Sequence, residues 1–358
     1  MPYAPDRTDR PTRKVTQEVR LAGSLWERAD WLAGGFYTSE NSEHQHVDFL
    51  AESATGNIVG TLYSFSNPYN YQEYAGFADV TYHFTDRLNI QLGGRESHYT
   101  LGPTYRASAN VFTYLVTPQF KFSSDVMTYA RLASGYRPGQ PNTGFLPPGV
   151  PAMSAPDTTK NYELGLKGSF FEHRLVVDTS IFYIDWNDIQ NTVNVTSGPF
   201  KGFPYVTNAG GAKSTGAEVS VTVRPDNGLT LSGWVDYDDA ALTKAFPSGS
   251  AAYGVPGSEL PLSSKWSGYL SAQQEFPLAE SVTGFVGADA NYVDRRLDVF
   301  SSSASVPRQA YPAYTKFDVR AGVSYEGWRL SAYVNNLTDR RAIIGGGRRN
   351  SRRTRLST

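Results

Sequence analysis

Between residues 159 and 190 the chain reads TKNYELGLKGSFFEHRLVVDTSIFYIDWNDIQ, and its apolar positions recur every second residue. Tyr162, Leu164, Leu166 and Phe170 share one face, and Glu163, Lys167 and Ser169 share the other. After Phe171-Glu172-His173-Arg174 the alternation resumes, with Leu175, Val177, Ile181 and Tyr183 on one side and Asp178 and Ser180 on the other. A period of two held over this length predicts two antiparallel strands joined by a tight polar turn, not a helix.

The rest of the chain repeats the unit. Gly76, Ala78, Val80, Tyr82 and Phe84 alternate with Asp79, Thr81 and His83, and Leu88, Ile90 and Leu92 with Asn89, Gln91 and Arg95. Phe317, Val319, Ala321, Val323 and Tyr325 alternate with Lys316, Asp318, Arg320 and Ser324, then the chain turns at Glu326-Gly327 into Leu330, Ala332 and Val334. Further strands are predicted near 15–21, 31–37, 109–122, 125–134, 205–223, 229–238, 264–276 and 281–293. The sum is about fourteen strands. Between them lie a long polar insert (41–69) and loops at 137–157, 187–204, 240–261 and 294–311.

The connections alternate between short turns and long loops, which gathers every long loop at one end. A soluble sandwich has no physical reason for that segregation, whereas outer-membrane barrels combine short periplasmic turns with longer extracellular loops. Aromatic residues near strand ends, among them Tyr82, Phe84, Phe120, Phe122, Tyr183, Trp186 and Trp328, suit an interfacial girdle. Aromatics are also simply common in strands, so the loop alternation decides. The expected fold class is all-β, a transmembrane antiparallel β-barrel whose inner face meets water and can carry charge.

Composition agrees. The chain has 358 residues, 13 % aromatic residues, 33 Gly, 23 Tyr and no Cys, which suits a β-rich protein without disulfides or thiolate metal sites. No apolar run reaches the roughly 18 to 20 residues of a spanning helix, but a spanning strand needs only about 9 to 11. The formal net charge of −1 provides no steering toward nucleic acid, and no nucleic-acid partner is expected. The opening MPYAPDRTDRPTRK lacks the apolar centre of a signal peptide.

In order along the chain, TQEVRLAG, WLAGGFYTSE, YARLASGYRPGQPN, YELGLKGSFFEHRLVVDTSIFYIDWNDIQ, NAGGAKSTGAEVSVTVRPDNGLTLSG and NNLTDR resemble segments of TonB-dependent outer-membrane receptors, from the middle of the barrel onward. The resemblance implies a Gram-negative outer-membrane barrel of about 22 strands, closed by an N-terminal plug. It also implies import of scarce nutrients, often ferric siderophores, with energy passed through TonB. On that pattern about 14 of the strands are present in this chain. The plug, the TonB-contacting box, the signal peptide and the final strand are expected to be missing, so TonB would be reached only through the missing plug. Residues 1–12 then read as a disordered or loop remnant, 13–341 as the barrel segment and 342–358 as a basic solvated tail. Strand parity points the same way without the family: with the short turns periplasmic, the first strand begins outside and the last ends outside, so an odd number of strands is expected to be missing at each end.

Candidate chemistry is sparse. His44 and His46 form an H-x-H pair near Glu43 and Asp48, a spacing that suits metal capture. The same residues make an ordinary polar extracellular loop, which is what the pattern favours. Asp236, Asp238 and Asp239 supply oxygen ligands in number, but no Gly turn follows at EF-hand spacing. No metal site and no cofactor are expected. There is no G-x-S-x-G elbow and no Cys, so no enzyme is expected. The charged inner residues Arg95, Glu163, Lys167, Asp318, Arg320 and Arg329 are expected to pair across strands.

Ligand contacts are sought in the loops 42–70, 136–157, 241–261 and 294–311, with His44, His46 and Arg137 as candidates. Expected partners are outer-membrane lipid and a ferric siderophore or similar nutrient. Three functions stay open: a TonB-energised receptor present as a barrel fragment, a passive diffusion channel of about fourteen strands, and a soluble all-β protein or a product without independent function.

Overall fold

In a computed structural model of the chain, the described residues are 6–9, 12–26, 28–42, 46–52, 57–66, 69–102, 106–225 and 227–345. The first strands are β1 (Asp6–Asp9), β2 (Arg13–Leu25), β3 (Ala29–Ser42), β4 (His46–Glu52), β5 (Ile58–Ser66), β6 (Tyr69–His83) and β7 (Leu88–Leu101). There follow β8 (Ala107–Lys121), β9 (Val126–Arg137), β10 (Asp157–Phe170), β11 (Leu175–Asn187), β12 (Gln190–Asn194), β13 (Pro204–Asn208) and β14 (Gly211–Val223). The last are β15 (Leu229–Lys244), β16 (Trp266–Ala279), β17 (Val282–Val293), β18 (Arg296–Leu297), β19 (Ala310–Tyr311), β20 (Tyr314–Tyr325) and β21 (Trp328–Val334).

Fourteen of these form one antiparallel sheet in which every strand pairs with its sequence neighbours, in the order β2-β3-β6-β7-β8-β9-β10-β11-β14-β15-β16-β17-β20-β21. β2 and β21 stand at its two edges, so the described sheet is open. The seven connections at one end span two to five residues, while 43–68, 102–106, 138–156, 188–210, 245–265 and 294–313 lie at the other; the five-residue link 102–106 breaks the expected alternation of short turns with long loops. The hairpin β10–β11 pairs from Thr158↔Asn187 to Phe170↔Leu175, as its alternation predicts. At Glu326 and Gly327 φ is 41° and 87°. Two successive left-handed residues make the two-residue turn whose twist matches the flanking strands.

The pleat divides the sheet into two faces, and register carries each face across the strands. Ala130, Leu164, Ile181 and Ala217 fall in one outward row. Outward aromatics form two belts. Toward the turns, Tyr82 meets Phe84 edge-on (ring centroids 4.7 Å) and Phe120 meets Phe122 (5.1 Å). Toward the loops, Tyr37 meets Tyr74 (4.9 Å), Tyr162 meets Tyr183 (6.2 Å) and Tyr237 meets Trp266 (4.8 Å). From Tyr162 to Phe170 a strand rises about 27 Å, or about 21 Å after a tilt of about 40°. That is close to the apolar band of about 25 Å that such barrels present to lipid.

The sequence reading needs five corrections. The segment 41–69 is not a plain polar insert: β4 and β5 pair there and join β1 in a separate three-stranded sheet. β1 also places a strand within residues 1–12, where a loop remnant was expected. The predicted strand 205–223 is two strands, β13 and β14, broken at Ala209-Gly210, where Gly210 has φ 140°. β13 pairs with β12 inside what reads as a loop. Trp186 belongs to neither belt, because it lies under the Arg137 guanidinium (5.4 Å to the ring). The causes differ: β4–β5 and β12–β13 are local hairpins inside polar stretches, β1 pairs with β4 well further along the chain, Gly210 interrupts a continuous alternation, and Trp186 has the opposite parity to the outward Tyr183.

A charge on the outward face should be costly and one on the inward face should not. Leu166→Arg, outward and midway between the belts, is expected to lower stability in lipid vesicles by about 2–4 kcal/mol. Inward Ser220→Arg should change it by no more than about 0.5 kcal/mol. Urea unfolding followed by tryptophan fluorescence checks both, and equal effects of the two would refute the assignment of faces.

Candidate functional site

The inner wall is polar, and its charges largely pair with neighbours. Arg95 on β7 donates to Glu73 on β6 (2.7 Å) and stacks on Phe36 (4.7 Å). Lys167 pairs with Asp178 (2.6 Å), and Arg320 with Asp289. The other three expected pairs take different form. Glu163 accepts from the Tyr129 hydroxyl (2.5 Å) and the Asn161 amide (3.1 Å), Asp318 faces Lys316 on its own strand (3.5 Å), and Arg329 lies over the Phe285 ring (4.0 Å). Tyr129, Glu163, Glu218 and Asp236 line an inward recess of about 570 Å³. The three aspartates weighed as a calcium site go separate ways: Asp236 accepts from Ser267 (3.3 Å), Asp238 from Ser214 and Asp239 from Lys265 (2.9 Å). That last bond holds the Lys265 ammonium above the usual lysine range. Among the described residues no three His, Cys, Asp or Glu side chains gather as a metal would require.

The organised part is the loop end. The β8–β9 pairing stops above Leu115↔Ala133, and Ser134 Oγ accepts the Tyr114 N–H instead (2.9 Å). Near that opening Tyr136 stacks on Tyr99 (6.0 Å), which stacks on Tyr71 (6.5 Å). Tyr99 is 0 % exposed, and its hydroxyl accepts the Gly139 N–H (2.7 Å). The loop 138–156 folds back here as a hairpin, with Ser154 N–H donating to Gln140 O (2.9 Å) and Asn142 N–H to Ala152 O (2.9 Å). A methyl group on Gly139 would come within 2.1 Å of the Ser154 carbonyl oxygen, so only glycine allows this approach.

Side-chain amides then lock this loop to the next. Asn142 donates to Val206 O (2.9 Å) and accepts from Val206 N–H (2.7 Å), the bond pair a strand neighbour would make. Asn208 does the same for Ala155, accepting its N–H (2.7 Å) and donating to its carbonyl (2.9 Å). Gln190 donates to Pro138 O (2.8 Å) and accepts from Ser154 Oγ (3.0 Å). Asp157, 1 % exposed, takes a fork of bonds from Arg137.

The remaining loops continue the layer. Asn194 N–H donates to Gly249 O (2.7 Å) and Ala251 N–H to Thr192 O (2.9 Å). Tyr253 N–H reaches Ser301 O (2.6 Å). Arg308 donates to the carbonyls of Asp298 and Glu259 (both 2.5 Å) and covers Phe300 (4.7 Å). Burial pushes the Arg308 guanidinium below its ordinary range. Ile189, Ala212 and Leu242 form an apolar cluster beneath, with Phe246 and Phe300 against it. At the tips, Phe145 (64 % exposed) and Phe200 (37 % exposed) meet at 5.4 Å.

The three candidate residues fare differently. His44 lies outside the described residues. His46 begins β4, its backbone registered with Asp9 and Ser66. Arg137 is committed to Asp157 and Trp186, which makes it an anchor of loop 138–156. The residues that sequence reasoning passed over are Asn142, Asn208, Gln190, Phe145 and Phe200. For Asn142, Asn208, Phe145 and Phe200 the only sequence signal is an amide or an aromatic placed near Pro or Gly, and Gln190, within DIQNT, carries not even that.

Removing the anchor should free the loop. Arg137→Ala is expected to cost roughly 1.5–3 kcal/mol, and Arg137→Lys should restore little because an ammonium cannot fork onto the carboxylate. Hydrogen exchange across 138–156 should accelerate in both variants. Unchanged protection would show that the pair is not what holds the loop.

The comparisons with known proteins fall on this architecture. The family model described as "TonB dependent receptor-like, beta-barrel" matches residues 3–337. The chain is 26 % identical over 290 residues to the pesticin receptor of Yersinia pestis, with 75 % of this chain and 39 % of that protein covered. It superposes on the ferric yersiniabactin uptake receptor FyuA from Yersinia pestis with a TM-score of 0.73 at 19 % identity, over 97 % of this chain and 52 % of that one. The siderophore receptor PiuA from Acinetobacter baumannii gives 0.70 at 18 % identity, over 95 % and 53 %. The chain thus spans about two fifths of the length of that curated relative and about half of those solved chains. It belongs to the TonB-dependent receptor β-barrel family of the Gram-negative outer membrane.

Proposed function

We propose that this chain is the barrel portion of an outer-membrane receptor for TonB-energised uptake of a ferric siderophore or a similar metal chelate. The observation that carries this reading is the loop layer. Four loops, 138–156, 188–210, 245–265 and 294–313, are cross-bonded at the loop end of the wall, so a ligand would meet a surface already ordered. A surface ordered before binding avoids the entropy of arranging it afterwards.

Phe145 and Phe200 present two exposed rings at the tips of the first two loops, with Lys201 exposed beside them. Rings and a cation suit a ligand that is both flat and anionic, and Arg137 serves by fixing the loop that bears Phe145. That relatives are named as pesticin, ferripyoverdine and metal-pseudopaline receptors supports the class. Coupling to TonB belongs, in this reading, to the plug domain that the family places in the lumen. The inward recess at Glu163, Glu218 and Asp236 would face it.

The test is ligand binding to the purified chain in detergent, read by quenching of tryptophan fluorescence with a panel of ferric siderophores. At least one is expected to bind, and Phe145→Ala with Phe200→Ala should weaken it on the order of tenfold. Circular dichroism confirms that the variant keeps its strands. No binding by a folded chain, or binding indifferent to both rings, would overturn the reading.

A further inference from the structure

The outward face carries a feature that nutrient uptake does not use. Lys160 on β10 stands in register with Asp185 on β11, and Asp185 with Lys213 on β14. All three share the parity of Tyr162 and Tyr183, so they point away from the lumen. Each lysine lies on the loop side of the tyrosine belt: Lys160 is one outward step beyond Tyr162, and Lys213 one beyond Thr215, the partner of Tyr183. Their backbones are two strand spacings apart, about 10 Å, within joint reach of one small anion. Both side chains are exposed, and neither makes an ion pair or hydrogen bond among the described residues. Asp185 is engaged by the Asn187 amide (2.7 Å). Lys265, by contrast, has its carboxylate partner in Asp239.

Below the two lysines the wall is hollowed. A groove of about 730 Å³ runs on the outward face, lined by Leu132, Tyr162, Leu164, Ile181 and Tyr183 with Ala130 as its shallow side. It lies between the two aromatic belts, at the depth of hydrocarbon. Tyrosine belts sit at head-group level, so ammonium groups one step beyond them stand where lipid phosphates are.

We propose that this groove and its two lysines form a binding site for an anionic, phosphate-bearing lipid of the outer leaflet. One acyl chain lies between Tyr162, Leu164, Ile181 and Tyr183, and both ammonium groups donate to the phosphate. An unshared lysine pair gains charge-assisted bonds to a phosphate, while the hollow gains the contacts that a flat wall would give the chain less completely. The occupant is a membrane lipid and not free phosphate, because the lysines alone offer an anion only an exposed, water-screened contact.

Native mass spectrometry of the full chain in mild detergent tests this, with dioleoyl phosphatidic acid and dioleoyl phosphatidylcholine as probes of equal acyl content. Phosphatidic acid should be retained preferentially, and its preference should fall as salt is raised. K160Q with K213Q should weaken phosphatidic acid retention on the order of tenfold to thirtyfold and that of phosphatidylcholine, whose phosphate is already balanced by its own choline, by clearly less. A130W, which fills the groove and keeps both lysines, should weaken both lipids. Equal retention of the two lipids by the unaltered chain would overturn the proposal, as would a preference indifferent to salt. So would unaltered phosphatidic acid binding in a K160Q/K213Q chain of native strand content. The salt series needs no variant, so the proposal is tested even where a substitution disturbs folding. None of these residues contributes to the loop layer, so siderophore binding can fail while lipid binding stands, and the reverse.

Discussion

A strand that crosses hydrocarbon must hand every backbone N–H and C=O to a neighbour, because no water is there to accept them. The sheet obeys this in the simplest way: fourteen strands paired antiparallel, each inner one with the members of the sheet that come before and after it in the chain. Once that pairing is set, the pleat alone decides which side chains face lipid and which face the lumen. Leu164 and Ile181 then share the outside, while Glu163 and Asp178 can be charged because they face a wet interior. The aromatic belts follow from the same rule, since Tyr162 and Tyr183 are register partners and so reach the interface together. The edges β2 and β21 are where the requirement is left unmet within this sheet.

Beyond the membrane the same need is met by other means. Loops 138–156 and 188–210 are too irregular to ladder continuously, so Asn142 and Asn208 supply in their amide groups the donor and acceptor that a strand would supply from its backbone. Asp157 gathers the Arg137 fork at the point where loop 138–156 returns to the wall. Short ribbons, β12–β13 and β18–β19, stiffen the spans between these joints. The loop end is therefore a layer with its own apolar cluster, not a fringe of separate strings.

In the proposed reading, three surfaces of one wall serve separate tasks: the loop layer would offer rings and cations to a ligand, the lumen acids to whatever fills it, and the outside an apolar hollow and lysines to the bilayer. Little links these surfaces chemically, because alternation puts residues adjacent in sequence on opposite sides. Glu163 and Leu164, next to each other in the chain, meet different phases.

The sequence by itself determined the strands, their antiparallel order and the identity of the faces, because a period of two is a local property that survives without knowing any partner. Fourteen strands, the β10–β11 hairpin and the inward, charged faces of Lys167 and Asp178 were legible that way; that these two pair is a finding of the structure. Only the tertiary structure decided what the loops do. That Arg137 anchors a loop, that Asn142 reaches Val206, that Phe145 meets Phe200 and that Trp186 lies beneath Arg137 all depend on residues from about 20 to 64 positions apart. The same holds for β1, β4 and β5, whose pairing makes a sheet out of a stretch that reads as polar. Lys160 and Lys213 come together for the same reason: they lie on strands separated by a third, and only register brings their side chains over one groove. Periodicity reports which way a side chain points, but which distant side chain it meets is set by how the chain closes.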